Sequence, residues 1–151
     1  MRKTIAVAAI LTALVAGATP SNAATPSGGT LSKPGQKLSW TGAFQIFTVE
    51  ARCDVVDVCD HFKIKVNMGE GARVRVVLPA PNPATDLDFF IYDPKGVEIA
   101  SSGNLPGETE SATFTHKAKF RNKVYDVAVV PYLILPGVSY NATASVSKYV
   151  K

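Results

Sequence analysis

Residues 86–96 read Asp-Leu-Asp-Phe-Phe-Ile-Tyr-Asp-Pro-Lys-Gly, and this stretch decides the fold. Its side chains alternate at period two, so Leu87, Phe89 and Ile91 face one side of an extended chain. The last four residues supply turn chemistry, because proline presets φ and glycine accepts φ > 0. Residues 97–100 then resume an extended pattern. The stretch therefore predicts a central strand and a hairpin with a strongly apolar face.

Similar alternation recurs along the chain after residue 37. It predicts further strands at residues 38–40, 44–49, 62–66, 73–78, 109–115, 124–130 and 138–146. Residues rich in proline and glycine predict loops at 79–85, 101–107 and 131–137. No helical period persists in this region. The sequence therefore predicts an all-β fold, a single jelly-roll-like antiparallel β-sandwich of eight or nine strands over residues 37–151.

Residues 62–66 and 73–78 each carry apolar residues on one face and basic residues on the other. If the two strands form a hairpin rather than an arch between sheets, opposed residues share a face, which leaves two registers. A register that opposes Lys63 to Arg75 stacks two pairs of like charges. We therefore predict the register that opposes Lys65 to Arg75.

The 86–96 stretch resembles the signature strand and turn of the bacterial pre-peptidase C-terminal domains, small jelly-roll β-sandwiches of exported proteins. Further similarities lie at residues 60–64 and 71–74, which resemble that family's opening strands, and at 125–129 and 137–142, which resemble its closing pair. The chain departs from the family at Asn122-Lys123-Val124, where a glycine is usual, and in carrying a cysteine pair. The resemblance covers residues 60–146 and implies an accessory domain of a kind that normally accompanies a catalytic domain, whereas this sequence shows none.

The N-terminal region has the pattern of a secretory signal peptide over residues 1–23. A basic start is followed by an apolar run over residues 5–18, and Ser21 and Ala23 place small residues at −3 and −1 of a cleavage site. The apolar run is too short to span a bilayer comfortably. We therefore predict a secreted protein, extracellular or periplasmic, with no membrane attachment after cleavage.

Residues 24–36 are rich in Gly, Pro, Ser and Thr without periodicity, which predicts a flexible lead. Arg2 and Lys3 belong to the leader, so part of the formal net charge of +4 is removed with it. The remaining charge is too small to indicate a nucleic-acid partner.

The two cysteines, Cys53 and Cys59, predict a disulfide, because export places them in an oxidising compartment. A redox site would favour Cys-x-x-Cys, and a metal site would need more ligands. His61 and His116 are isolated among strand residues and predict surface histidines.

Asp86 and Asp88 project from one face of the 86–92 strand. We expect them to accept hydrogen bonds from loop amides and to fix the turn. The alternative is a calcium site, since more aspartates, Asp54, Asp57 and Asp60, crowd the cysteine loop. Calcium needs six or more oxygen ligands, and no loop here has EF-hand spacing. The sequence therefore favours no cofactor and no metal, with calcium as the alternative.

Glu108 and Glu110 would lie about 6.7 Å apart on one strand face, near the carboxylate separation of an inverting glycosidase. Exposed strand faces commonly carry such residues, and no Gly-x-Ser-x-Gly or His-Glu-x-x-His motif is present. The sequence therefore favours a protein that is not an enzyme.

A basic edge is predicted where cationic residues recur at period two. These residues are Lys117, Lys119, Arg121 and Lys123. Such an edge would bind an anionic polysaccharide, or would protect an exposed strand from aggregation, and the second reading is favoured. Tyr132, in the predicted 131–137 loop, is the candidate aromatic contact, whereas Tyr125 and Tyr140 are predicted in the core.

The function predicted from these features is that of a secreted, non-catalytic β-sandwich module. It would bind an extracellular polysaccharide or protein, a secreted hydrolase among them. Two alternatives stay open: a structural accessory domain without a ligand, and a small secreted hydrolase that uses the paired carboxylates.

Overall fold

The computed structural model describes residues 24–45, 47–49 and 58–147, with the backbone alone at 48 and 49. Within these ranges the chain forms ten strands and a short 3₁₀ helix. The strands are β1 (Gly28–Leu31), β2 (Lys37–Phe44), β3 (Thr48–Val49), β4 (Asp60–Val66), β5 (Arg73–Leu78), β6 (Asp86–Tyr92), β7 (Glu98–Ser102), β8 (Glu110–Thr115), β9 (Val124–Ile134) and β10 (Val138–Val146). The helix spans Ala118–Phe120.

The strands form two sheets that pack face to face. The first sheet has the order β1-β4-β9-β6-β7, with β3 also paired to β9, and the second has the order β2-β10-β5-β8. The pairings are antiparallel except for β1 with β4. The predicted all-β sandwich is confirmed.

The core lies between the sheets and is built from alternate residues of each strand. In β6, Leu87, Phe89 and Ile91 are buried as predicted, and β6 lies between β9 and β7. Trp40 of the second sheet stacks on Phe62 of the first, with ring centroids 4.0 Å apart and an interplanar angle of 3°. Aromatic pairs of this kind add about 0.5–1.5 kcal/mol beyond burial of their area.

The turn after β6 forms as its residues predict. Gly96 has a φ of 78°, which a residue without Cβ adopts at no steric cost. Asp93 fixes the turn, since its Oδ1 accepts hydrogen bonds from the backbone N–H groups of Lys95 and Val97. The predicted hairpin of β6 with the following strand is confirmed.

The hairpin predicted for β4 and β5 does not form. β4 pairs with β1 and β9 in the first sheet, whereas β5 pairs with β10 and β8 in the second. Ile64 therefore belongs to the first sheet and Val76 to the second, and both side chains are fully buried in the core between the sheets. The prediction that Lys65 opposes Arg75 is wrong, because the chain between the strands arches from one sheet to the other.

The region predicted as a flexible lead contains a strand. Residues 28–31 form β1, which runs parallel to β4 in the register Gly28 to Lys63 through Leu31 to Val66. Leu31 is completely buried. The prediction for residues 24–36 is therefore wrong, because backbone hydrogen bonds to β4 order a segment whose composition alone indicates a linker.

Several strand ends also differ from the predictions. Residues 37–44 form one strand, and β9 continues to Ile134, through a region predicted to be a loop. Pro131 is accommodated in β9 where its register with β6 shifts, beside Leu87. Pro131 has no backbone N–H to donate to the neighbouring strand. Because it lies at a bulge, where such a bond is not required, the strand continues past it.

Two groups of predictions concern residues outside the described ranges. They are the signal peptide over residues 1–23 and the cysteine-loop residues Cys53, Asp54 and Asp57. Among the described residues, no helix has the length and hydropathy that crossing a bilayer requires.

Candidate binding site

The predicted basic residues lie in the connection from β8 to β9, which is not extended. The helix at Ala118–Phe120 and a φ of 61° at Asn122 break the period-two geometry. The ring of Phe120 packs edge-on against Tyr125, with centroids 6.1 Å apart, and draws the chain toward the core. The basic residues, Lys117, Lys119, Arg121 and Lys123, are all exposed around this anchor. The prediction of one continuous basic edge is therefore wrong.

Tyr132 lies within β9 and not in a loop, and 39% of it is exposed. Eight residues of extended chain separate it from Val124, where the basic connection joins β9, which corresponds to roughly 25 Å. The structure therefore does not bring Tyr132 together with the basic residues.

A cavity of about 350 Å³ lies where the basic connection meets the sandwich. It is lined by residues of both sheets and of the connection, among them Thr113, Phe114, Lys117, Phe120 and Tyr125. Its aromatic walls pack on one another, since the Phe114 and Tyr125 rings lie 4.6 Å apart.

His116 lies beside this cavity and is completely buried, so its prediction as a surface histidine is wrong. Its Nδ1 lies 2.9 Å from the hydroxyl of Tyr125, and its Nε2 has no partner among the described residues. Burial lowers the pKa of His116, although Glu70 opposes this effect. The ring of His116 also contacts that of Tyr125 edge-on, with centroids 5.8 Å apart.

Three carboxylates meet where β6 approaches β8. Burial and the neighbouring charges of Asp86 and Glu110 raise the pKa of Asp88 to about 6, and burial with the charge of Glu110 also raises that of Asp86. In the part of the chain that the structure describes, neither aspartate accepts a hydrogen bond from a loop amide. Asp93 and Glu110 fix the neighbouring loops instead.

The described residues contain no group of three or more His, Cys, Asp or Glu side chains placed to hold a metal ion. The absence of a cofactor, with calcium as the alternative, stays a prediction.

Glu108 and Glu110 do not share a cleft. Glu110 is 2% exposed, and its two oxygens accept hydrogen bonds from the Ser102 hydroxyl and the Asn104 backbone N–H. Glu108 is exposed and precedes β8. The pair therefore lacks the common substrate-facing surface that acid and base catalysis requires.

Another buried carboxylate, Asp60, lies in the core at the start of β4. The Tyr140 hydroxyl donates to its Oδ2 at 2.6 Å, across the space between the sheets. A Cβ at Gly42 would collide with both groups, so the glycine allows their close approach. Oδ1 of Asp60 and Nε1 of Trp40 have no partner among the described residues.

A shallow groove of about 600 Å³ lies on the outer face of the first sheet. β4, β9 and β6 lie side by side there, and the turn after β6 closes one end. The groove is lined by His61, Lys63, Tyr92, Asp93, Pro94, Gly96, Val124 and Asp126.

Charged side chains form a network along this groove. Asp126 Oδ2 lies 3.0 Å from His61 Nδ1 and 2.8 Å from Lys63 Nζ. Because an ionised carboxylate only accepts hydrogen bonds, Nδ1 of His61 carries the hydrogen. Burial opposes ionisation of Asp126, but the hydrogen bonds from His61 and Lys63 lower its pKa below the ordinary value. The network holds charged and polar groups in fixed positions beside the ring of Tyr92.

Sequence reasoning missed this groove. The outward positions of β4 and β9 can be read from their alternation, and His61, Lys63 and Asp126 all occupy such positions. What brings them together is the pairing of β4 with β9, in which Lys63 lies opposite Asp126. Their separation of more than sixty residues in the sequence leaves no local signal of that pairing.

Cys59 is buried next to Asp60, and the described residues include no free cysteine. Since Cys53 lies outside the described ranges, the predicted bond between Cys53 and Cys59 stays a prediction.

Comparison with known proteins finds a match among solved structures. The chain is similar to the pre-peptidase C-terminal domain of collagenase from Bacillus anthracis, with a TM-score of 0.46 and 11% sequence identity. The similarity covers 80% of this chain and 94% of that domain. At this identity and TM-score the likeness concerns the fold and carries no information about function.

No protein-family model matches the chain, and no curated protein matches it.

Proposed function

We propose that this protein is an exported, non-catalytic β-sandwich module that binds an extracellular polysaccharide or partner protein through the groove on the first sheet. The observation that carries the proposal is the position of Tyr92 beside the network of His61, Lys63 and Asp126. An aromatic ring offers a flat apolar surface, and the fixed polar groups offer donors and acceptors that orient a ligand.

The groove is a better candidate than the basic connection for two reasons. Its polar groups are held by strands of one sheet, so they keep their geometry when no ligand is bound. The basic residues of the connection are exposed on a turn and share no sheet face. A secreted hydrolase remains one of the partner proteins that the proposal includes.

The test is binding of the chain that begins at Ala24 to a panel of insoluble polysaccharides and matrix proteins. We expect at least one component to retain the protein, and Tyr92→Ala to weaken that binding about tenfold or more. Tyr132→Ala is the matched control, because it removes an exposed tyrosine from another part of the same sheet. Circular dichroism checks that both variants fold.

Different outcomes separate this proposal from its alternatives. Binding lost in Lys117→Ala and Lys119→Ala but kept in Tyr92→Ala would assign the site to the basic connection. Retention by no component would favour a structural accessory domain. Release of soluble sugar that Glu110→Gln abolishes would favour the hydrolase, which the separation of Glu108 from Glu110 disfavours.

A further inference from the structure

Asp60 is a buried carboxylate whose hydrogen bonds are incomplete. It is 0% exposed, and its Oδ1 has no partner among the described residues. No lysine or arginine in those residues forms an ion pair with it. Burial raises the pKa of Asp60, while the hydrogen bond from Tyr140 lowers it in part. A carboxylate in this position is costly to ionise unless a cation reaches it.

Ala24 lies against this carboxylate. It is 4% exposed, and its backbone N–H is close enough to Asp60 to lower the pKa of that group. The next residue, Thr25, is fixed by two backbone hydrogen bonds to Thr41, of 2.7 and 3.0 Å. Gly42, which follows Thr41, has no Cβ to obstruct the carboxylate. The nitrogen of Ala24 is therefore held beside Asp60 by the sheet.

The backbone nitrogen of Ala24 is an amide in the full chain, and the sequence predicts that it becomes a free amine after export. Ser21 and Ala23 define a cleavage site whose product begins at Ala24. A signal peptidase adds water across the Ala23–Ala24 peptide bond, which leaves a carboxylate on Ala23 and an amine on Ala24. The amine takes up a proton, so a neutral N–H becomes an ammonium group with three donors.

We propose that removal of the leader creates a buried ion pair between the α-ammonium group of Ala24 and the carboxylate of Asp60. The pair gives Oδ1 of Asp60 a charged donor, because the sheet holds the start of the mature chain beside this carboxylate. Cleavage then stabilises the fold at the moment when the mature chain is formed. The inference rests on the export that the proposed function assumes, and it does not depend on ligand binding.

The pair predicts a pH dependence with a definite sign. An ammonium group that gains a partner has a pKa above its unfolded value of about 7.7–8.0. Its contribution is fully present below that value and is lost as the pH rises through the folded pKa. The other titratable groups that face Asp60 are Tyr140 and His61, and the first titrates well above this range because burial raises its pKa.

The experiment compares the chain that begins at Ala24 with the same chain extended by one glycine before Ala24. We expect the extension to lower the Tm at pH 7 by about 10 °C, since it removes the charge and obstructs the site. We also expect the α-amino group of the unextended chain to react slowly with an amine reagent. Mass spectrometry of the exported protein should show Ala24 as its first residue.

Asp60→Asn is the matched variant, examined in both chains. It should lower the Tm of the chain that begins at Ala24, and the glycine extension should have little further effect in its presence. Equal Tm values for the extended and unextended chains, or an α-amino group of ordinary reactivity, would overturn the pair. If Asp60→Asn fails to fold, the extension and the reactivity measurement decide alone. A different first residue in the exported protein would also overturn the proposal, whereas loss of ligand binding would bear only on the proposed function.

Discussion

Three carboxylates are buried among the described residues, and two of them, Asp60 and Glu110, obtain their partners in different ways. Glu110 accepts hydrogen bonds from Ser102 and Asn104, which lie eight and six residues away in the sequence. Asp60 accepts one from Tyr140, eighty residues away, and keeps one oxygen without a partner among the described residues. A local loop thus places a donor on each oxygen of the buried Glu110 carboxylate, whereas the core leaves one oxygen of Asp60 without a donor among the described residues.

The largest effect on stability is expected at the hydrogen bond between Tyr140 and Asp60. Tyr140→Phe removes the hydroxyl that donates to Asp60 and leaves the carboxylate without its strongest partner. We expect a loss of about 2.5 kcal/mol in the free energy of unfolding, measured by urea denaturation at pH 7. Tyr132→Phe, at an exposed position in β9 of the first sheet, is the control and should change stability little. Equal effects of the two variants would mean that the Asp60 hydrogen bond is unimportant.

Reduction of the predicted disulfide should have the next largest effect. Cys59 directly precedes Asp60, so a bond to Cys53 would hold the start of β4 in place. We expect a reductant to lower the free energy of unfolding by roughly 2 kcal/mol, from the entropy of the small loop. Alkylation and mass spectrometry of the non-reduced protein should detect no free thiol, and two free thiols would refute the bond.

Glu110→Ala leaves Ser102 and Asn104 without their acceptor. We expect a loss of about 1.5 kcal/mol, smaller than at Asp60 because these donors lie closer to solvent and can bond to water. Loss of the charge should also lower the pKa of Asp88, as NMR titration can measure. Glu108→Ala is the control, since Glu108 is exposed. A larger loss of stability in Glu108→Ala than in Glu110→Ala would contradict the assignment of Glu110 as the carboxylate that fixes the loop.

Substitution of Asp88 is expected to have a smaller effect on stability, and it should stabilise the fold rather than destabilise it. Its pKa is raised from 3.8 to about 6 in the folded chain, so its ionisation opposes folding. The stabilising contribution is complete below the unfolded pKa and is lost as the pH rises through about 6. Asp88→Asn should therefore stabilise the protein at pH 8 by up to about 1 kcal/mol, after allowance for solvent screening. Thermal unfolding at pH 5 and pH 8 checks this, and an equal change at both pH values would contradict it.

Removal of divalent ions is expected to have the smallest effect. If the Asp86, Asp88 and Glu110 cluster holds no ion, EDTA should leave the Tm unchanged. A bound ion at a hundred times its dissociation constant would add about 2.7 kcal/mol, which a melting curve would reveal as a clear fall. Such a fall would support the calcium alternative, with Asp86, Asp88 and Glu110 as candidate ligands.

The groove illustrates how far the sequence could predict a candidate site. Alternation in β4 places Lys63 on the outer face, and the residue order Asp93-Pro94-Lys95-Gly96 predicts the turn after β6. The joining of Lys63 to Asp126 depends on the register of β4 with β9, which no local pattern encodes. Tertiary packing also explains why the basic residues near Lys119 do not form a straight edge. Burial of Phe120 bends a segment that alternation predicts to be extended.

From the sequence alone, side-chain alternation predicts most of the strands, the buried face of β6 and the turn at Asp93–Gly96. These features follow from side-chain periodicity and from the φ preferences of proline and glycine, which act over a few residues. The tertiary structure alone decided that β4 and β5 join different sheets, that residues 28–31 form a strand, and that Asp60 meets Tyr140 in the core. Those outcomes depend on hydrogen bonds and packing between segments that are distant in the chain. Such contacts form only when the sandwich as a whole is stable, so no local pattern encodes them.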